Sequence, residues 1–382
     1  MVVYEVGPLG RTDQIVIAGL DAVERARVVF PPEGLLSAEI APHLAYVVNG
    51  TVYFMDGEGT VSSMRVDGRQ TVVTKFPIQF ADQAASFSVS PDGCQLAASV
   101  LTPARNGTPW TLQTMKASAG GPAQLLHTWT SSNPANPPNS KSPGAFRNLV
   151  LVGWDSLGPI AIAGSDVGYS SPTAASDALW PRADYTAWDF VANLDFIGGQ
   201  VVHLAGDGTA GAAAAPPTCN AAQVSPGGDI TCFQAGSKDA WTLSVLHSVG
   251  GTVVGAMSIP VGMVHSGAGG LPCWAGFHFN QYQTQCPGTY VALGPNGLVA
   301  ATWAVSASTG VPAKTKGLWQ GPDGSGGSLP AFFYPEKWID AHTIFGQHTT
   351  GLYDAALVRI GGAQPSLEDL QFTGNLVGML SA

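Results

Sequence analysis

Short apolar runs alternate with Gly-containing turns along most of the 382-residue chain. Ser90-Pro91-Asp92-Gly93, Ser225-Pro226-Gly227-Gly228 and Gly294-Pro295-Asn296-Gly297 each follow an apolar run (Ala85 to Val89, Ala221 to Val224, Tyr290 to Leu293). Each precedes another (Cys94 to Val100, Asp229 to Phe233, Leu298 to Trp303). Two strands around a Gly turn make a β-hairpin, and hairpins recurring at long intervals predict a β-propeller. Asn49-Gly50 is a further turn, because both residues tolerate positive φ. Asp155-Ser156-Leu157-Gly158 and the weaker Asp340-Ala341-His342 complete the series. From turn starts at 49, 90, 155, 225, 294 and 340, the steps are 41, 65, 70, 69 and 46 residues. The short steps match a bare four-stranded blade, and the long ones a blade carrying a large loop. Second hairpins turn at Asp67-Gly68-Arg69, Ala119-Gly120-Gly121 and Val249-Gly250-Gly251, which suits the outer strands of a blade.

The ends complete the ring. Met1 to Val6, Gln14 to Gly19 and Ala26 to Phe30 read as three strands lacking their first, and Asn375 to Leu380 as one strand lacking company. Together they predict one composite blade that closes the ring and removes open sheet edges. The expected fold is all-β: one domain of seven antiparallel blades, six being the alternative because the last turn is weak. The expected composite blade is 1–30 plus 371–382, and the internal blades are 43–78, 85–128, 147–206, 219–260, 289–333 and 337–370.

The Ser-Pro-Asp-Gly turn entering an apolar strand, Ser90-Pro91-Asp92-Gly93-Cys94-Gln95-Leu96-Ala97, resembles the repeat of TolB-type, WD-like propellers. The resemblance is clear over 86–98 and fair over 221–233 and 290–302. It implies the fold, carries over no catalytic residue and hardly bears on function.

Composition narrows the function classes. Charged residues are only 11% and hydrophobic ones 45%, which argues against disorder. A low-charge, Gly-rich surface suits an extracellular or cell-surface protein. No signal peptide precedes Met1-Val2-Val3, so the expectation is a processed or engineered start, or else a cytoplasmic chain. The net charge of −10, with 16 scattered Lys and Arg, argues against nucleic acid. No window reads as a membrane span. Cys219 and Cys232 lie 13 positions apart around the 225–228 turn, and Cys273 and Cys286 are also 13 apart. Two disulfides are expected, with Cys94 left as a buried strand thiol; the alternative is five buried free thiols.

Connections within hairpins are short, whereas Pro31 to Pro42, Thr130 to Gly144, Gly168 to Trp188, Gly206 to Thr218 and Gly262 to Pro287 are long. In four-stranded blades the long connections are expected to crowd one end of the ring, where loops on a rigid scaffold bind. Two are aromatic. Cys273 to Cys286 holds Trp274, Phe277, His278 and Tyr282 among amides without charge, and Tyr169 to Trp188 holds Trp180, Tyr185 and Trp188. Such side chains stack on sugar rings or anchor a protein; they could equally fold back as a local core.

Catalytic signatures are few. G-x-S-x-G, H-E-x-x-H, an EF-hand loop and the S-x-D-x-G-x-T-W box do not occur. Asp56-Gly57-Glu58-Gly59 and Asp207-Gly208 are expected to serve their turns. His342 and His348 share a strand face without a third ligand, so no metal and no cofactor are expected. Asp166, Asp177, Asp184 and Asp195 leave acid–base chemistry open. Asn49-Gly50-Thr51 and Asn106-Gly107-Thr108 match the N-glycosylation pattern, which chance explains. The expectation is a non-catalytic binding propeller whose partner is protein or glycan. A propeller-type glycan hydrolase or lyase, and a structural subunit of an extracellular assembly, are the alternatives.

Overall fold

The computed structural model describes residues 1–6, 13–21, 23–32, 44–78, 83–102, 111–130, 146–165, 200–215, 220–224, 228–235, 240–260, 289–308, 311–349, 353–361, 364–370 and 375–380. The N-terminal region gives β1 (Val2–Val6), β2 (Gln14–Ala18) and β3 (Glu24–Val29). The first full blade is β4 (Ala45–Val48), β5 (Thr51–Met55), β6 (Thr60–Met64) and β7 (Gln70–Lys75). The second is β8 (Ala84–Val89), β9 (Gln95–Thr102), β10 (Thr111–Ser118) and β11 (Gln124–Thr130). The third is β12 (Phe146–Asp155), β13 (Gly158–Ser165), β14 (Gln200–Leu204) and β15 (Ala210–Ala213). The fourth is β16 (Asn220–Val224), β17 (Asp229–Ala235), β18 (Ala240–His247) and β19 (Val253–Pro260). The fifth is β20 (Thr289–Leu293), β21 (Val299–Ser308), β22 (Val311–Gln320) and β23 (Gly326–Leu329). The sixth is β24 (Phe333–Trp338), β25 (Thr343–Thr349), β26 (Tyr353–Arg359) and β27 (Ser366–Asp369). Finally β28 (Asn375–Met379) pairs with β1, giving the order β28-β1-β2-β3.

The described strands thus form seven four-stranded antiparallel blades, and the last closes the ring with strands from both termini. The closure is a matched seam. Val2 and Val3 face Met379 and Gly378. The Met1 amine donates to the Leu380 carbonyl at 3.0 Å, and Leu380 N–H donates back to the Met1 carbonyl at 2.9 Å.

The first strand of each blade is the innermost, since contacts join β8 to β12, β20 to β24 and β28 to β4 across blade boundaries. Tyr46 on β4 meets Phe87 on β8 edge-on with ring centroids 5.0 Å apart. Ser86 on β8 accepts the Leu151 N–H of β12 at 2.9 Å. Burial follows radius. On β9 the run Leu96 to Leu101 is buried on both faces, so it reads as an apolar segment interrupted only by the buried Ser99. The outermost strands β3 and β11 alternate or stay exposed.

The core is therefore a set of slabs between neighbouring blades. Leu44, Phe76, Phe87 and Leu96 fill the space between the first and second. Val3, Ile15, Phe54 and Met64 join the composite blade to the first. Phe333, Trp338 and Ile344 join the fifth and sixth.

Antiparallel order fixes which connections share an end of the ring. First-to-second and third-to-fourth connections emerge on one end, called here the turn end. Second-to-third connections and those between blades emerge on the other. On the turn end the strand bounds leave between two residues (49–50) and six (360–365). Left-handed residues make these turns: Asn49 (φ 47°) with Gly50 (φ 71°), and Asn296 (φ 56°) with Gly297 (φ 78°). On the opposite end the strand bounds leave 131–145, 166–199 and 261–288 between β11 and β12, β13 and β14, and β19 and β20.

Two sequence expectations are corrected. Gly206 to Thr218 is not one long loop. Gly206 and Asp207 turn on the short-turn end, and β15 then pairs with β14, so the third blade runs past residue 206. Its Ala210-Gly211-Ala212-Ala213 sequence has no polar–apolar alternation to reveal a strand. Cys94 is an exposed free thiol rather than a buried strand residue. The Asp92 carboxylate accepts Cys94 N–H at 2.9 Å, which extends the turn and delays the strand to Gln95.

Candidate functional site

Aspartates build the turns. In Ser90-Pro91-Asp92-Gly93 the Ser90 hydroxyl donates to Asp92 Oδ1 at 2.6 Å and accepts Gln95 N–H at 2.9 Å. These contacts, the Ser90 hydroxyl first and then Cys94 N–H, hold the Asp92 carboxyl below its ordinary value. Asp56 accepts Glu58 and Thr60 N–H at 2.8 and 2.9 Å, and Asp207 accepts Thr209 N–H at 3.0 Å. Asp67, Asp323 and Asp340 repeat the contact with the N–H two residues on. Each carboxylate does the work of a turn, as expected for Asp56 and Asp207. Among the described residues no group of three His, Cys, Asp or Glu side chains could hold a metal ion.

Histidines are paired singly. His348 Nδ1 lies 2.8 Å from Asp369 Oδ1, and His247 contacts Asp229 across β17 and β18. His342 stands exposed in the turn before β25, so the structure does not bring His342 and His348 to a common ligand.

One polar cluster is deeply buried. Asp155 closes β12 with its side chain 6% exposed, and His203 on β14 is 10% exposed. His203 Nε2 lies 2.7 Å from Asp155 Oδ2. A carboxylate only accepts, so Nε2 carries the proton and donates. The Ser248 hydroxyl, from the turn between β18 and β19 of the next blade, donates to the same oxygen. Leu157 N–H donates to Oδ1 at 2.7 Å. Burial pushes the Asp155 carboxyl up, but the hydroxyl, the imidazole and the N–H together outweigh it and leave its pKa lowered.

The geometry is that of a clamp between the third and fourth blades. Ser248 is bonded to the carboxylate and not to the imidazole, so the histidine is not positioned as its base and the trio is no nucleophile relay. In the sequence Asp155 reads only as a turn residue. Its partners lie 48 and 93 positions away, so no local pattern signals them.

The aromatic residues singled out from the sequence lie outside the described residues: Trp180, Tyr185 and Trp188 within 166–199, and Trp274, Phe277, His278 and Tyr282 within 261–288. The same holds for Asp166, Asp177, Asp184 and Asp195, and for Cys219, Cys273 and Cys286; Cys232 stands in β17 opposite Ala221. What is described is where these segments attach. The end of β13, the start of β14, the end of β19 and the start of β20 all open on the end opposite the short turns.

No protein-family model matches the chain, and no curated protein matches it. Solved structures are similar to it in fold. An oligogalacturonate lyase from Vibrio parahaemolyticus is 8% identical, with 94% of this chain and 91% of that one covered, at a TM-score of 0.45. An oligogalacturonate lyase in complex with manganese is 7% identical over 83% and 76%, also at 0.45. TolB from Acinetobacter baumannii is 12% identical over 85% of this chain and 60% of that one, at 0.37. The likeness is one of fold alone: this chain resembles the TolB-like β-propellers.

Proposed function

We propose that this propeller is a non-catalytic binding module of the extracellular space or cell surface. Its loop-rich end takes a carbohydrate, or failing that a protein, through Trp180, Tyr185, Trp188, Trp274, Phe277, His278 and Tyr282. One observation carries the reading. Connections on one end of the ring are held to between two (49–50) and six (360–365) residues, while 166–199 and 261–288 both leave from strand ends on the other. Both aromatic segments therefore attach at one end of a rigid scaffold, where binding loops are commonly carried. The uncharged run from Trp274 to Gln285 pairs aromatic faces with amides, which suits a sugar ring and its hydroxyls. A Cys273–Cys286 bridge would preorganise it.

The test is a glycan array probed with the non-reduced protein beside the Trp188→Ala, Trp274→Ala double variant. Loss of two aromatic anchors is expected to weaken binding by roughly several hundredfold, at about 2 kcal/mol each. Glycan binding by the double variant equal to that of the parent overturns the assignment of the site. No glycan binding by either protein, with both equally stable, moves the reading to a protein ligand and to pull-down as its test.

A further inference from the structure

A cleft of about 390 Å³ opens in the first blade, lined by Gly57, Glu58, Lys75, Pro77 and Ile78. That volume lies within the roughly 300–1,000 Å³ of small-molecule sites. Gly57 and Glu58 connect β5 to β6, and Pro77 and Ile78 follow β7. The cleft therefore opens on the end of the ring from which 166–199 and 261–288 also leave. Its backbone is fixed. Gly57 N–H donates to the Pro31 carbonyl at 2.7 Å, and Phe76 N–H to the Gly59 carbonyl at 2.9 Å. A Cβ on Gly57 would meet the Pro32 carbonyl oxygen at 2.1 Å, and one on Gly59 (φ 79°) the Phe76 carbonyl oxygen at 2.5 Å. The two glycines thus let three segments close on one another as no larger residue would. Across the cleft Lys75 Nζ lies 3.6 Å from Glu58 Oε2, with the side chains 59% and 65% exposed. That separation is too long for a hydrogen bond, so the ammonium keeps its donors and the carboxylate its acceptors for a third group.

We propose that this cleft is a subsite for one uncharged sugar ring, held by Lys75 and Glu58. The proposal rests on the carbohydrate reading above and adds a place on the described scaffold where a ring is bound. An ammonium only donates and a carboxylate only accepts, whereas a sugar hydroxyl does both. Two neighbouring hydroxyls of a pyranose therefore satisfy the pair together, one accepting from Lys75 and the other donating to Glu58. Pro77 and Ile78 give the C–H face of the ring an apolar wall beside these two polar groups. The charges set the ligand class. A carboxylate on the sugar would be drawn to Lys75 and repelled by Glu58 3.6 Å away, so the site gains nothing from an acidic ligand.

The experiment titrates the full chain with methyl glucoside, methyl mannoside, methyl galactoside and methyl glucuronide, read by saturation-transfer NMR near neutral pH. Three proteins are compared: the parent, a Glu58→Ala, Lys75→Ala variant, and the Trp188→Ala, Trp274→Ala variant. Both cleft side chains are more than half exposed, so the first variant is expected to keep the parent's urea midpoint. The parent should bind at least one neutral glycoside, and the cleft variant should bind it about tenfold more weakly or worse. Equal binding by the parent and the cleft variant, no binding of any neutral glycoside by the parent, or tighter binding of the glucuronide than of the glucoside overturns the subsite. The broader reading then stands or falls separately, on whether the tryptophan variant loses binding on the glycan array. Binding lost in the cleft variant and kept in the tryptophan variant supports the subsite and sinks the aromatic site instead.

Discussion

A chain ending at residue 374 is expected to lose cooperative unfolding and to self-associate. Removing 375–382 takes away β28, the innermost strand of a blade whose other three strands come from the N-terminus. The β1 edge is then unpaired, and an open edge is a template for another chain. The buried Leu380 and the half-buried Val377 and Met379 leave the slabs on either side of the composite blade. At about 1.5–3 kcal/mol for each large buried side chain, the loss is on the order of 5 kcal/mol. That is comparable with the whole stability of a domain, about 5–15 kcal/mol. Urea unfolding followed by tryptophan fluorescence, with size-exclusion chromatography, measures it. Gly378→Val is the point version. A Cβ there would meet the Val47 side chain at 2.8 Å, and overpacking of this kind costs about 1–3 kcal/mol. A truncated chain with an unchanged midpoint would show that ring closure does not hold the fold.

Asp155→Ala is expected to destabilise the protein by about 2–4 kcal/mol, because it leaves the buried His203 N–H and the Ser248 hydroxyl without an acceptor. Ser248→Ala removes one donor and leaves the carboxylate its other partners, so about 1 kcal/mol is expected. The pH dependence has a definite sign. The folded-state pKa of Asp155 is lowered, so its contribution is fully present above the unfolded value, about 3.9. It is lost as pH falls through the folded value. The gap in unfolding free energy between parent and Asp155→Ala should therefore be constant near neutrality and close in acid. A gap that widens in acid, or none at pH 7, would remove the carboxylate from the clamp.

How far the sequence could be read depended on how local the physics was. Asn49-Gly50 and Pro295-Asn296-Gly297 were legible because left-handed backbone demands these residues wherever it occurs. The composite blade was legible because two unpartnered sets of strands at the chain ends had one way to satisfy each other. β15 was not, since its alanines and glycine carry no period. Cys94 was misplaced because a side-chain contact from Asp92 sets where the strand begins, and apolar pattern alone does not report it. The clamp of Asp155, His203 and Ser248 is tertiary: its partners come from two blades and from distant positions. The aromatic segments are legible only as composition; the described strands show where they attach, on one end of the ring.

The most direct test of the account is which end of the ring binds. On one glycan array the Trp188→Ala, Trp274→Ala variant should be compared with Leu157→Ser, Val249→Ser, whose exposed apolar side chains stand in turns on the opposite end. The account predicts that the first pair loses binding and the second keeps it. Binding kept by the tryptophan variant and lost by the turn variant would place the ligand on the wrong end and contradict the account.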